Sequence, residues 1–138
     1  MKYLTKFIFI LLSLSIALFA QTHEMNPARL SLEEGQDGSY SGLWMFPTNA
    51  VGLPAEVSFT DCEEKQRNLP EIQGKYLVSN IIINCEETLK GKEIAFKGLT
   101  RLTDGLGRVK FLDKTSFEVL ATINTPKFEI PQEVSIYQ

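Results

Sequence analysis

One stretch, Tyr76–Cys85, constrains the fold more than any other part of the sequence. It is the strongest β-strand signal in the chain, and it ends on one of only two cysteines. Apolar side chains occupy both faces of this stretch, and a strand that is apolar on both faces usually lies inside a sheet. One face carries Leu77, Ile81, Ile83 and Cys85, and the other carries Val78 and Ile82. The sequence therefore predicts an inner strand around which a sheet is built.

The first twenty residues have the layout of a secretory signal peptide. Lys2 and Lys6 form a positively charged start, an apolar run extends from Phe7 to Phe19, and Ala20 offers a small residue for cleavage. Ala17 is the alternative cleavage point. An uncleaved anchor is the competing interpretation, but a run of about 13 positions is shorter than the roughly 20 that span a bilayer. We expect a signal peptide at residues 1–20 and a single domain at residues 21–138.

If the chain is exported, three further expectations follow: the net charge of the cleaved chain, the state of its two cysteines and its location. Cleavage removes two lysines and no acid, which takes the formal net charge from −3 to −5. A mildly acidic domain lacks the basic face that nucleic-acid binding requires, so we expect no nucleic-acid partner. Two cysteines in an exported chain predict one disulfide, Cys62 to Cys85. Two free buried thiols are the alternative; zinc would need further ligands, and no other Cys or His lies nearby. The expected location is the periplasm or the extracytoplasmic face of the membrane.

Alternating apolar residues mark about eight short strands separated by Gly, Pro and Asp turns, and no segment has a sustained helical period. The predicted strands cover residues 28–33, 39–46, 55–60, 76–85, 93–99, 108–112, 116–123 and 128–130. The first two form a hairpin, and residues 63–74 form an exposed connection. Chains of this pattern are usually sandwiches, with a barrel as the alternative. We expect an all-β fold, an immunoglobulin-like antiparallel β-sandwich of about seven to eight strands.

The only histidine, His23, lies in the polar N-terminal segment, so no Ser-His-Asp or Cys-His set stands out and we expect no enzyme activity. After cleavage at Ala20, the chain begins Gln21-Thr22-His23. A free amine, two amides and an imidazole can form the square-planar nitrogen site that Ni(II) and Cu(II) favour. The alternative is a plain polar tail, and cyclisation of Gln21 would remove the amine. No other cofactor is expected.

Two further pairs of residues have a functional and a structural interpretation. Trp44 and Tyr40 share one face of a predicted strand and either line a ligand face or belong to the core. Asp104 and Arg108 either form a structural ion pair or flank a glycine-rich turn. No phosphate, calcium or zinc motif is present, so the sequence identifies no small-molecule substrate.

A series of short motifs resembles the N-terminal extracytoplasmic domain of HupE/UreJ-type membrane proteins, the hydrogenase and urease accessory proteins. The motifs in chain order are His23-Glu24, Pro27-Ala28, Leu30-x-Leu32-x-Glu34, Trp44-x-x-Pro47, Cys62, Cys85, Leu89-x-Gly91, Ile94, Gly98-Leu99, Thr103-Asp104-x-Leu106-x-Arg108 and Phe128-x-Ile130-Pro131. The sequence departs from the pattern at Gly105 and Gly107, where larger apolar residues are expected. The chain also stops about where such proteins enter their first membrane helix. From the resemblance we therefore expect a free-standing version, one half of a split system or a truncated reading frame.

The resemblance implies a membrane-protein partner and a link with nickel uptake, and it carries over no activity for the exported domain. We therefore expect an exported, non-enzymatic binding or interaction module that works with a HupE/UreJ-type membrane protein in transition-metal handling. The alternatives are a soluble Ni(II)- or Cu(II)-binding protein that uses its mature N-terminus, and a structural envelope protein. A hydrolase acting on envelope material would need a nucleophile or an acid-base pair that the sequence does not display.

Overall fold

A computed structural model describes residues 1–6, 8 and 26–134. Most of the expected signal peptide and the Gln21-Thr22-His23 segment lie outside these residues. Within them, none of the helical structure is both long enough and apolar enough to cross a membrane.

The described chain folds into a β-sandwich, which confirms the predicted fold class. Seven strands form a large sheet and three form a small one packed against it. The strands are β1 Ala28–Glu34, β2 Ser39–Pro47, β3 Glu56–Phe59, β4 Cys62–Arg67, β5 Glu71–Gln73, β6 Tyr76–Cys85, β7 Glu93–Lys97, β8 Gly105–Lys110, β9 Ser116–Ala121 and β10 Lys127–Glu129.

The predicted inner strand is β6, which lies between β2 on one side and β4 and β5 on the other. The large sheet runs β4-β6-β2-β1-β8-β9, and the small sheet runs β10-β7-β3. The predicted hairpin is the antiparallel pair β1–β2. One pairing departs from the antiparallel expectation, because β1 and β8 are parallel. A parallel pair needs a long crossover, and here most of the domain lies between the two strands.

The strand count differs from the prediction because residues 63–74 are not an open connection. They contain most of β4 and all of β5, which pair with successive halves of β6. The four middle residues of β4 are exposed and have charged or amide side chains. Strand β4 therefore shows no alternation of apolar residues in the sequence. Charged side chains of this kind protect an edge strand from pairing with other chains. The charged side chains that make β4 look like a loop in the sequence are therefore the ones that suit a strand at the edge of a sheet.

The disulfide between Cys62 and Cys85 is present, as predicted. The two residues lie directly opposite each other on β4 and β6, with their Cα atoms 4.4 Å apart. This is the separation of a pair that does not exchange backbone hydrogen bonds in an antiparallel ladder. Cys85 is fully buried. A buried disulfide is compatible with an oxidising, extracytoplasmic compartment.

A series of aromatic rings joins the two sheets, and two glycines make room for it. Trp44 packs on Phe96 and Phe96 on Phe128, with ring centroids 5.5 and 5.6 Å apart. A Cβ atom at Gly105 would lie 3.3 Å from the Phe96 ring, and one at Gly107 would lie 3.2 Å from Phe128. The glycines at these positions therefore have a local reason, since rings from the opposite sheet fill the space that a larger side chain would occupy.

A carboxylate closes the hairpin between β8 and β9. Asp113 accepts hydrogen bonds from the Thr115 backbone N–H, at 2.9 Å, and from the Thr115 hydroxyl, and its other oxygen lies 3.1 Å from Lys90 Nζ. The hydrogen bonds from Thr115, assisted by Lys90, lower the pKa of Asp113 to about 2. The turn is therefore stabilised by the ionised form of this side chain.

Candidate functional site

A cleft opens between the sheets beside β3, because the small sheet is too narrow to cover the large one. Its floor is the inner face of β2 and β6, where Trp44 lies opposite Ser79 and Phe46 opposite Leu77. Two irregular segments, residues 53–55 and 68–70, form walls instead of a further strand. The cleft has a volume of about 460 Å³, within the range of small-ligand pockets.

The floor is organised by Trp44, the only tryptophan in the chain. Its indole Nε1–H donates a hydrogen bond to the backbone carbonyl of Ala55, at 3.2 Å. This bond holds the segment before β3 against the large sheet. The two interpretations of Trp44 are therefore not exclusive, because the ring packs on Phe96 and also lines the cleft.

Two leucines at the cleft are almost fully solvated. Leu53 and Leu69 are each 88% exposed, and each is followed by a proline, Pro54 or Pro70, that also lines the cleft. Burying a leucine side chain stabilises a protein by about 1.5–3 kcal/mol. Because both leucines are exposed, the fold gains this stabilisation from neither of them. Exposed apolar groups around a concave surface are typical of binding sites.

The charged wall of the cleft is neutralised internally. Arg67 donates two hydrogen bonds to the Glu64 carboxylate, both at 2.8 Å, and a third to the carbonyl of Val57 on β3, at 3.0 Å. The pairing depends on an irregularity between Glu64 and Gln66, where the register of β4 shifts by one residue. In a regular strand, residues three apart point to opposite faces; the bulge brings Glu64 and Arg67 to the same face.

Ser79 is a cleft residue that the sequence did not single out. Period-two alternation places it on the face of β6 that contains Leu77 and Ile81. Its side chain is only 6% exposed and lines the cleft floor. Among the residues that the structure describes, no group hydrogen-bonds to its hydroxyl. A polar residue interrupting an apolar face was the signal available in the sequence.

Tyr40, the other candidate for a ligand face, is a core residue. It is fully buried, and its hydroxyl accepts a hydrogen bond from the Leu89 backbone N–H at 3.0 Å and lies 3.4 Å from Thr88 Oγ1. Burial raises the pKa of Tyr40 above its usual value. The neutral phenol therefore holds the buried Leu89 in the loop after β6.

Of the two interpretations of Asp104 and Arg108, the ion pair is not formed among the residues that the structure describes. Arg108 instead pairs with Glu118, directly opposite on β9, with Nε and Oε1 3.2 Å apart. Four residues along a strand span about 13 Å, which is too far for the predicted contact. The backbone carbonyl of Asp104 accepts a hydrogen bond from the Ala28 N–H at 2.9 Å, where β1 begins beside β8.

The predicted metal site at Gln21, Thr22 and His23 lies outside the described residues and stays a prediction. Within residues 1–6, 8 and 26–134, no three His, Cys, Asp or Glu side chains form a group that could hold a metal ion. No protein-family model, curated protein or solved structure significantly matches the chain.

Proposed function

We propose that this chain is an exported, non-enzymatic binding module that uses the cleft as its binding surface and works with a membrane protein. The observation that carries the proposal is the cleft itself, with its Trp44 floor and its exposed Leu53 and Leu69. A concave, mostly apolar site with few polar groups is the usual form of a ligand-binding site. The buried disulfide supports the periplasm as the place of action.

The pairing of the polar groups supports binding rather than catalysis. Glu56 and Arg67 are the titratable residues that line the cleft, and Arg67 is held by Glu64. A serine nucleophile needs an adjacent base, and within the described residues no side chain hydrogen-bonds to the Ser79 hydroxyl. The cleft therefore offers shape and apolar surface rather than an activated group.

The membrane partner and the link with transition metals are supported by the resemblance to HupE/UreJ-type proteins. A cleft lined mainly by carbon is a poor ligand set for nickel, which favours nitrogen donors. The proposal therefore separates two roles, with an organic ligand in the cleft and Ni(II) or Cu(II) at the mature Gln21-Thr22-His23 terminus.

Titration with Nile red, a neutral dye whose emission increases in apolar surroundings, tests the cleft. We expect saturable binding to the wild-type protein. The double variant Leu53→Glu/Leu69→Glu, which puts two charges at the cleft, should bind the dye at least tenfold more weakly. The matched control is Leu102→Glu, at a leucine that is 81% exposed but does not line the cleft. Equal binding by all three proteins would contradict the proposal. A pull-down from a membrane fraction with immobilised protein tests the membrane partner. If it recovers no membrane protein, that part of the proposal is wrong.

A further inference from the structure

The hydroxyl of Ser79 can be satisfied only from the cleft. The side chain is more than nine-tenths buried, and no group in the described part of the chain hydrogen-bonds to it. Its neighbours on the same face of β6, Leu77 and Ile81, are apolar. The hydroxyl oxygen is not among the fully enclosed unpaired atoms of the described chain, so its open side faces the cleft, where water or a ligand can bind it.

Three other polar side chains of the lining have partners within the chain, and one of them is Asn68, whose Oδ1 accepts a hydrogen bond from Gln66 Nε2 at 2.8 Å. The Trp44 indole N–H is taken by Ala55, and the Arg67 guanidinium is bound by Glu64 and Val57. The remaining charge in the lining is the carboxylate of Glu56, which is exposed at the surface. An anionic ligand would therefore meet a like charge, with the nearest positive charge already neutralised. The lining favours an uncharged ligand.

We propose that the cleft binds a neutral, largely apolar small molecule whose single hydrogen-bonding group pairs with the Ser79 hydroxyl. This names the ligand class of the proposed binding function and therefore depends on it. The aromatic and aliphatic floor, Trp44, Phe46 and Leu77, contacts the apolar body of the molecule. A cleft of about 460 Å³ suits a molecule of this kind. Ser79 acts by selecting the ligand, and it takes part in no chemical step.

Trp44 provides the readout. As the only tryptophan, it gives one indole N–H signal in a ¹⁵N-correlated NMR spectrum, and that N–H lies beside the cleft. Three ligands of nearly equal shape are compared: naphthalene has no polar group, 2-naphthol adds one hydroxyl, and 2-naphthoate adds a charge. The proteins are wild type, Ser79→Ala and the control Ser41→Ala, at an exposed serine on β2.

For the wild type and Ser41→Ala, we expect 2-naphthol to bind roughly two- to tenfold more tightly than naphthalene, because one hydrogen bond is gained. In Ser79→Ala, this difference should disappear while naphthalene binds at least as well. The charged 2-naphthoate should bind most weakly to all three proteins. A single sharp Trp44 signal, away from the position that it has in the denatured protein, would show that each free variant is folded.

Equal binding of naphthalene and 2-naphthol by the wild type would overturn the role of Ser79, as would a preference that persists in Ser79→Ala. Tightest binding of 2-naphthoate would replace the proposal with an anion site at Arg67. If Nile red binds as expected and none of the naphthalenes moves the Trp44 signal, this inference alone fails. If Nile red also fails to bind, the proposed function fails with it.

Discussion

The Cys62–Cys85 bridge gives the most quantitative prediction. It closes a loop with a sequence separation of 23. In the chain-entropy model, a loop of this size contributes about 3.4 kcal/mol by restricting the unfolded chain. For a domain of about 110 residues, each kcal/mol corresponds to roughly 4 °C, so removing the bridge should lower Tm by about 14 °C.

Calorimetry on Cys62→Ala and on the Cys62→Ala/Cys85→Ala double variant measures this effect. The single variant should show most of the loss, because loop closure ends when either sulfur is removed. The double variant should be somewhat less stable still, since Cys85 is fully buried and its sulfur fills core volume. Wild-type protein measured under reducing conditions should resemble the single variant.

The comparison separates two explanations of the bridge. If Cys62→Ala keeps the wild-type Tm and only the double variant is destabilised, packing of the buried sulfur is responsible and the loop-closure argument is refuted. If Cys85→Ser keeps its Tm but loses Nile red binding, the bridge serves the cleft rather than the stability of the domain.

Four other predictions follow from contacts described above. Tyr40→Phe leaves the buried Leu89 N–H without a partner and should lower the free energy of unfolding, measured with denaturant, by about 1–3 kcal/mol. The control is Tyr76→Phe, at a half-buried tyrosine whose hydroxyl has no hydrogen bond in the described chain, and its stability should stay close to that of the wild type. Gly107→Leu should cost about 1–3 kcal/mol by overpacking the rings, and unchanged stability would contradict the contacts. Because the pKa of Asp113 is lower in the folded state, its stabilisation is present above pH 4 and disappears as pH falls through about 2; Asp113→Asn should be less stable than wild type at pH 7 and equal below pH 2. Ni(II) or Cu(II) should bind the mature protein and not His23→Ala, and equal binding by both would remove the terminal site.

Much of the sandwich could be predicted because its inner strands carry their apolar residues in recognisable strand patterns. Strand β6 is apolar on both faces, and its predicted bounds, Tyr76–Cys85, are those observed. Strands β1 and β2 bury alternate residues, and the turn between them gives a hairpin. The disulfide followed from two cysteines in a chain with the layout of an exported protein. In each case the information lies within one strand or in the composition.

The features that could not be predicted depend on what lies across a strand or between sheets. Strand β4 is an edge, so its charged residues resemble a loop. The parallel contact of β1 with β8 joins residues some 75 positions apart, and local patterns do not encode it. Arg108 pairs with Glu118, its cross-strand neighbour on β9, and not with Asp104, which is close in sequence. The cleft exists because one sheet is narrower than the other, which no single strand shows.

The bulge in β4 has a consequence that links the disulfide with the cleft. A strand with no hydrophobic face has nothing of its own to stop it from sliding along its neighbour. The bond at Cys62 fixes where β4 starts on β6, and the bulge after Glu64 then sets the direction in which Arg67 points. The covalent bond thus fixes the alignment for a contact five residues away, the hydrogen bond that joins Arg67, in the wall of the cleft, to Val57 on β3.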